Sequence, residues 1–342
     1  MRACRLLRTG LPGEFEIADI PGPQPSSGQV VVRVRACGLN RLDLWVEEGG
    51  LPVSVPLPLI QGCEIAGEVL QTGPGTTGWQ PGDRVAIQSN LFCGQCEFCA
   101  QGEESICMRG EILGVHRHGG FAEQVLVPAS NLVRLPDQVS FEQSAALTLA
   151  GSTAMHMLTH RATVAPGATV LVVAGASGVG SAAIQIARGL GADVLALAST
   201  EAKRDFAISL GARAAWNGRD PAWPKAVREA TGKRGVDLVV EHVGGKLLAQ
   251  CFECLARNGT VVTCGATAGR RVEFDLWPFF VKQHRLVGSY GRHREDMRRT
   301  LEWAANGRLR AALHRLAPLD ELPESMAQLR REEVIGKTVI LP

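Results

Sequence analysis

Hydrophobic positions follow two different rhythms along the chain, and the change falls near residue 140. Before it, short apolar runs at 1–7, 15–20, 29–36, 64–72, 84–88 and 122–128 are separated by Pro-Gly punctuation. Val30, Val31, Val32 and Val34 against Arg33 and Arg35 give the alternation of a half-buried antiparallel strand. Gly73-Pro-Gly75 and Gln80-Pro-Gly-Asp83 are the clearest turns. The spacing predicts an irregular β-barrel or folded sheet over the first ~130 residues. Ser140 with Gln143 three positions on reads as a capping box, and a second helical run covers about 152–160. From there strands at 169–174, 193–198, 214–217, 236–241, 260–264 and 285–290 alternate with helical stretches. That rhythm predicts an α/β domain with a doubly wound parallel sheet. A helix at 294–305, a short mixed tail and a last strand at 334–341, returning to the first domain, close the chain.

Residues 168–187 organise the second domain. Val170 to Ala174 is a continuous apolar run, suited to a strand buried on both faces. Gly175, Gly178 and Gly180 follow and allow a tight turn. A helix at 181–190 then runs to a stop at Gly191, and the next strand comes at βαβ distance. The N-terminus of such a helix is a cradle for a pyrophosphate.

Composition narrows the function. A length of 342 residues suits two domains, and 39 glycines suit a turn-rich fold. A net charge of +2 with interspersed signs gives no basic stripe, so no nucleic acid partner is expected. Residues 162–187 carry no charge, but the glycine turn interrupts them, so no membrane span is expected. Arg2, Arg5 and Arg8 precede no apolar segment of signal-peptide type, and a cytoplasmic protein is expected. There, cysteines point to metal or buried thiols. Cys93, Cys96, Cys99 and Cys107 lie within fifteen positions, the pattern of a closed structural zinc site, with an iron–sulfur cluster the lesser alternative. Cys251 and Cys254 share the Cys-x-x-Cys spacing within an apolar helical run, where burial explains them better.

The glycine turn, the β-rich first domain and the cysteine lobe together resemble the medium-chain dehydrogenase/reductase superfamily. So do Gly62-Cys-Glu-Ile-Ala-Gly67, Pro81-Gly-Asp-Arg-Val85, Gly119-Gly-Phe-Ala-Glu123 and Gly336-Lys-Thr-Val339. The resemblance implies a GroES-like catalytic domain at 1–150 and 292–342, carrying the zinc lobe near 90–110. It also implies a Rossmann dinucleotide-binding domain at 151–291, and a homodimer or homotetramer paired through strands near Phe274 and Leu286.

The departures from that family are informative. Zinc alcohol dehydrogenases of the family take catalytic-zinc ligands at positions that here hold Asn40, Cys63 and Leu149. One good ligand is left, and catalytic zinc needs three. Asn40 with Asp43 and Glu64 instead resembles the zinc-free quinone oxidoreductase branch, although Trp45 replaces its usual tyrosine. A second metal set from Cys37, Cys63, Glu64 and Asp43, and a catalytic role for His116 or His118, are lesser readings.

The expected activity is hydride transfer from NAD(P)H to a quinone or an α,β-unsaturated carbonyl, without catalytic zinc. Asn40 would donate to the acceptor oxygen, while Asp43 and Glu64 organise the pocket beside Cys63 and Trp45. The alternatives are a zinc-dependent alcohol dehydrogenase with a non-standard ligand set, and an NADPH-binding sensor without turnover. NADP(H) is expected over NAD(H), because Lys203 and Arg204 follow an acid-free strand end at Ser199, with Glu201 a possible displaced acid. The turn places Gly175, Ser177, Gly178, Val179 and Gly180 at the pyrophosphate. By resemblance, Thr153, Val243, Gly265, Gly288 and Ser289 line the nicotinamide.

Overall fold

The computed structural model describes all 342 residues, which divide into two compact units, Met1–Ser152 with Arg292–Pro342 and Thr153–Gly291. No helix is long and apolar enough to cross a membrane.

The first unit is built on a seven-stranded sheet. Its order is Leu132–Arg134, Arg84–Ile87, Glu64–Thr72, Gln29–Gly38, Lys337–Leu341 and Leu313–Pro318, with Gln124–Pro128 also paired to Gln29–Gly38. Neighbours are antiparallel except the last two, which are parallel. Along Gln29–Gly38 the alternation works as read: Val30, Val32 and Val34 are buried while Arg33 and Arg35 face solvent. A three-stranded sheet of Glu14–Asp19, Arg2–Arg8 and Leu59–Ile60 shares this core. The closing strand starts at Lys337, later than the apolar run suggests, and pairs Val339 with Gly38 and Ile340 with Cys37. The tail read as mixed contains the strand Leu313–Pro318 and the helix Leu322–Arg330. Leu313 and Leu316 remain exposed there, so the strand has no clean apolar face to reveal it.

The second unit is a six-stranded parallel sheet. Its order is Ala214–Trp216, Asp193–Leu197, Thr169–Val172, Val236–Glu241, Leu255–Thr263 and Arg285–Gly288. The winding reverses between Thr169–Val172 and Val236–Glu241, the switch point at which such sheets take a ligand. Val170 to Val173 are fully buried. The strand ends at Val172 rather than 174, because Ala174 turns the chain with φ +47. The helix begins at Gly178, one turn before the expected start, because Ser177 caps it by accepting from Gly180 N at 3.0 Å. Leu255–Thr263 also starts earlier than expected. Asn258 adopts φ +61 within it, and the register against Val236–Glu241 shifts there. Cys251 and Cys254 are buried, as their apolar surroundings suggest.

Candidate active site and metal centre

The strands of a parallel sheet all end on one side, and Ser199, Val243, Gly265, Gly288 and Ser289 lie at or just beyond strand ends, with residues 175–180 following Thr169–Val172. A Cβ on Gly180 would sit 2.2 Å from Ala174 O, and one on Gly175 would crowd Ala196, Ile184 and Ala207. The turn is therefore tight only because both are glycine. Gly178, Val179 and Gly180 form the first turn of a twelve-residue helix with its N-terminus open to an anion. Ser177 is more committed than the sequence suggests. Its Oγ caps the helix and also hydrogen-bonds His242 Nε2 at 2.9 Å. Burial pushes His242 down to about 4, so it is neutral at pH 7. Glu241 was not foreseen, yet it shapes the next loop. Its carboxylate accepts from Val243 N and Gly244 N at 2.6 Å each, and from Thr263 Oγ1 at 2.6 Å. A Cβ on Gly265 would meet His242 O at 2.2 Å, so that loop and strand end touch backbone to backbone. Gly288 and Ser289 end the last strand, where Ser289 N donates to Thr263 O at 2.8 Å. Thr153 is buried at the start of the unit. Thr200 caps the helix Glu201–Ser209 and accepts from Lys203 N, which places Lys203 and Arg204 in its first turn beyond Ser199.

In the first unit, Asn40, Asp43, Cys63 and Glu64 do come together, and a partner from the far end of the chain joins them. Glu64 is fully buried. Its Oε1 accepts from Leu149 N at 2.6 Å and Ala150 N at 3.0 Å, while Oε2 takes Asn40 Nδ2 at 3.1 Å and Lys337 Nζ at 2.8 Å. Lys337 Nζ spends its other donors on Leu39 O at 2.5 Å and Asn40 Oδ1 at 2.6 Å. Asn40 Nδ2 also donates to Gly38 O at 3.0 Å. Both amide hydrogens and the amide oxygen of Asn40 are thus engaged within the chain. The expected donation from Asn40 to a substrate oxygen is corrected accordingly: its amide holds Glu64 and Lys337 in place.

Asp43 is equally internal. Its Oδ2 accepts from Asn40 N at 2.8 Å and its Oδ1 from Gly62 N at 3.1 Å. Burial lifts it to about 7, against those N–H bonds and Lys337. Trp45 lies on the same helix, Arg41–Glu48, turned about 200° from Asp43 at a helical 100° per residue. Cys37 and Cys63 are buried thiols, pushed well above the ordinary thiol value chiefly by burial and then by Asp43. A Cβ on Gly62 would lie 2.7 Å from Cys37 Sγ, so that thiol fills packing space. The histidines considered beside them hold loops: His118 Nδ1 accepts from Ile60 N at 3.2 Å, and His116 Nδ1 from Ile112 N at 3.0 Å.

The cysteine lobe fits zinc. Its four sulfurs lie within 4.8 Å of one another, with Cys96 Sγ 3.5 Å from Cys99 Sγ and 3.9 Å from Cys107 Sγ. Ligands at 2.3 Å on a tetrahedron would stand about 3.8 Å apart. Backbone N–H groups of Gln95 and Cys96 point at Cys93 Sγ, which favours the thiolate a metal needs. The three positions at which resemblance would place catalytic zinc do not fit in this way. Asn40 is consumed, Leu149 offers no donor atom, and Cys63 alone remains.

Two further residues, both in the first unit, escaped sequence reasoning as Glu241 did. Lys337 sits in a motif noted only for its family position. Arg292 is a buried arginine whose Nη1 donates to Asn90 Oδ1 at 2.9 Å and Nη2 to Ser89 Oγ at 2.5 Å. Its only signal in the sequence is that it opens the stretch returning to the first unit.

Comparison with known proteins agrees with both units. A family model described as an alcohol dehydrogenase GroES-like domain matches residues 26–137, and one described as a zinc-binding dehydrogenase matches residues 178–306. An alcohol dehydrogenase of Geobacillus stearothermophilus is 30% identical over 331 residues, 95% of this chain and 95% of its own. An NAD-dependent alcohol dehydrogenase of Sulfolobus acidocaldarius is 30% identical over 354 residues, 99% of each chain. Among solved structures, an NAD-dependent alcohol dehydrogenase superposes with a TM-score of 0.95 at 38% identity, covering 100% of both chains. A cobalt- and zinc-bound thermostable alcohol dehydrogenase from Pyrobaculum aerophilum gives 0.89 at 33% identity, covering 100% of this chain and 99% of that one.

Proposed function

Because this chain belongs to the medium-chain dehydrogenase/reductase superfamily, among its zinc-type alcohol dehydrogenase-like members, we propose that it interconverts an alcohol and a carbonyl compound with NADP(H). The relatives named alcohol dehydrogenases support this reaction over the quinone or enone reduction expected from sequence. The substrate oxygen is held by side chains of the chain itself rather than by the family's three-ligand zinc. One observation carries that part: Asn40, at a ligand position, has its whole amide bonded to Gly38, Glu64 and Lys337.

When bound, the nicotinamide supplies or takes up the hydride. The chain's own residues do the rest. Gly175 to Gly180 accept the pyrophosphate, and the buried Glu241 fixes the loop that carries Val243. Lys203 and Arg204, beyond a strand end without an acid, favour the 2′-phosphate and hence NADP(H). In the first unit the Lys337–Glu64–Asn40 network keeps Gly38, Leu39, Leu149 and Ala150 in fixed positions, so the substrate meets a preorganised wall. The four-cysteine zinc is structural.

A second reading, reduction of a quinone or enone, is favoured by the same missing ligands, because such acceptors spread the incoming charge without a Lewis acid. The test is a panel of alcohols with NADP⁺ and NAD⁺ and of aldehydes, quinones and enones with NADPH, together with zinc analysis of protein purified without chelator. Alcohol oxidation preferring NADP⁺, with close to one zinc per chain, is expected. Turnover of quinones alone transfers the assignment to the second reading. Two zincs per chain overturn the account of the oxygen site, and nucleotide binding without any turnover overturns the enzyme.

A further inference from the structure

An imidazole from a separate loop touches the glycine turn of the second unit. Ser177 Oγ accepts from Gly180 N at 3.0 Å, and His242 Nε2 stands 2.9 Å from the same oxygen. The other ring nitrogen, Nδ1, is buried and has no hydrogen-bond partner. The loop that carries the ring is fixed. The Glu241 carboxylate accepts from the N–H groups of His242, Val243 and Gly244, and a Cβ on Gly265 would lie 2.2 Å from His242 O. Burial holds the imidazole down at about 4, so at pH 7 it is neutral and carries one proton. That proton has two places to sit. On Nδ1 it is a buried donor without an acceptor, and Ser177 must turn its own hydroxyl proton to Nε2. On Nε2 it is donated to Ser177 Oγ, and Nδ1 is left as a bare acceptor. Buried N–H groups without partners are rarer than under-used acceptors, which favours the proton on Nε2. Ser177 Oγ then receives two N–H donors, which take both its lone pairs. Its own proton has no acceptor among these groups, and Ser177 is partly exposed at the start of the helix Gly178–Gly189.

We propose that His242 is a positioning residue for the dinucleotide: by donating Nε2–H to Ser177 Oγ, it leaves the Ser177 hydroxyl proton for a pyrophosphate oxygen at the helix start. The inference deepens the dinucleotide-binding part of the proposed function and rests on it for the ligand. It does not depend on NADP(H) over NAD(H), nor on the substrate. The helix start offers backbone N–H groups to a phosphate whatever residue stands at 177. Serine adds a side-chain donor where glycine adds none, and a hydrogen bond to a charged oxygen is among the strong ones. The imidazole decides which way that donor points.

The test uses the whole chain and needs no turnover. Nitrogen-15 NMR of histidine-labelled wild type at pH 7 reads the tautomer, with His242→Gln identifying the resonance. A protonated Nε2 with a bare Nδ1 is expected, and the reverse overturns the inference. Calorimetry with ADP-ribose, which carries the pyrophosphate without the nicotinamide, compares wild type, Ser177→Gly, His242→Leu, His242→Gln and the double variant Ser177→Gly/His242→Leu. Glycine is tolerated at an N-cap, so Ser177→Gly keeps the helix. It should weaken ADP-ribose binding about tenfold. His242→Leu should weaken it by nearly as much and add nothing further in the double variant, because it acts through Ser177. A merely structural histidine would add its own loss instead. His242→Gln, with an amide N–H to donate, should restore most of the affinity. If His242→Leu fails to fold, the tautomer and Ser177→Gly still decide. Affinity of Ser177→Gly within about twofold of wild type, or losses that add in the double variant, overturns the inference and leaves dinucleotide binding standing. Equal binding of NADH and NADPH by wild type removes the NADP(H) assignment and leaves this inference standing. Wild type that binds neither dinucleotide nor ADP-ribose overturns both.

Discussion

At the scale of single residues, Glu64 is the most constrained group in the first unit, with four donors on one buried carboxylate. Replacing it by glutamine keeps the shape but leaves Lys337 as a buried charge without its counter-charge, and turns one end of the amide against N–H donors. Loss of one partner of a buried pair costs about 3–5 kcal/mol, so Glu64→Gln is expected to lower unfolding free energy by that order in denaturant titration. A loss under ~1 kcal/mol would show that the pair contributes nothing net. Asp43 makes a different prediction. Burial holds it near 7, above the 3.8 of an unfolded chain, so between those values the folded state keeps a proton that the unfolded chain has released. Its contribution is present at low pH and is lost as pH rises from about 4 to about 7. Wild type should therefore lose stability over that window relative to Asp43→Asn, which cannot titrate. Parallel stability profiles for the two proteins would refute the assignment. None of this was fully legible in sequence. Asn40, Asp43 and Glu64 stood out, but the partner that fixes the role of Asn40 lies 297 positions away at Lys337, a distance at which no spacing rule speaks.

At the scale of elements, the glycine turn was the most legible part of the chain. The buried strand, the three glycines and the helix are local features, and local propensity and the tertiary fold agree on them. Its finer structure was not legible, since Ser177 meets His242, 65 positions on and just past the end of Val236–Glu241. That contact defines an expectation for Ser177→Ala. The helix loses its cap and His242 Nε2 loses its partner, so stability should fall by about 1–2 kcal/mol in denaturant unfolding. A change below ~0.3 kcal/mol would mean that the hydroxyl caps nothing of consequence. The tail shows the opposite case. Leu313–Pro318 holds its place by pairing with Lys337–Leu341, although its own side chains are largely exposed. Strand identity there comes from the neighbour, so periodicity could not announce it.

At the scale of the whole molecule, the division into a GroES-like unit built from both chain ends and an inserted Rossmann unit follows from the last strand, which returns to pair with Gln29–Gly38. The sheet of the second unit also leaves something unfinished. Arg285–Gly288 pairs on one side only, with Leu255–Thr263, and so presents an open row of backbone donors and acceptors. Beside it in the chain, the helix Leu276–Val281 exposes Leu276, Trp277, Phe280 and Val281, with Trp277 69% exposed, and Leu286 and Tyr290 are also exposed. An open edge joined to apolar surface is an aggregation hazard in a lone chain. A second copy related by a two-fold axis covers both at once, because the same edge and helix meet themselves. We therefore expect a homodimer paired through this edge. Leu286→Lys together with Trp277→Glu would place like charges opposite each other across the axis, and should shift sedimentation velocity from dimer to monomer while leaving the zinc content unchanged. A wild-type monomer at micromolar concentration, or a double variant that remains fully dimeric, would mean that the edge is covered some other way.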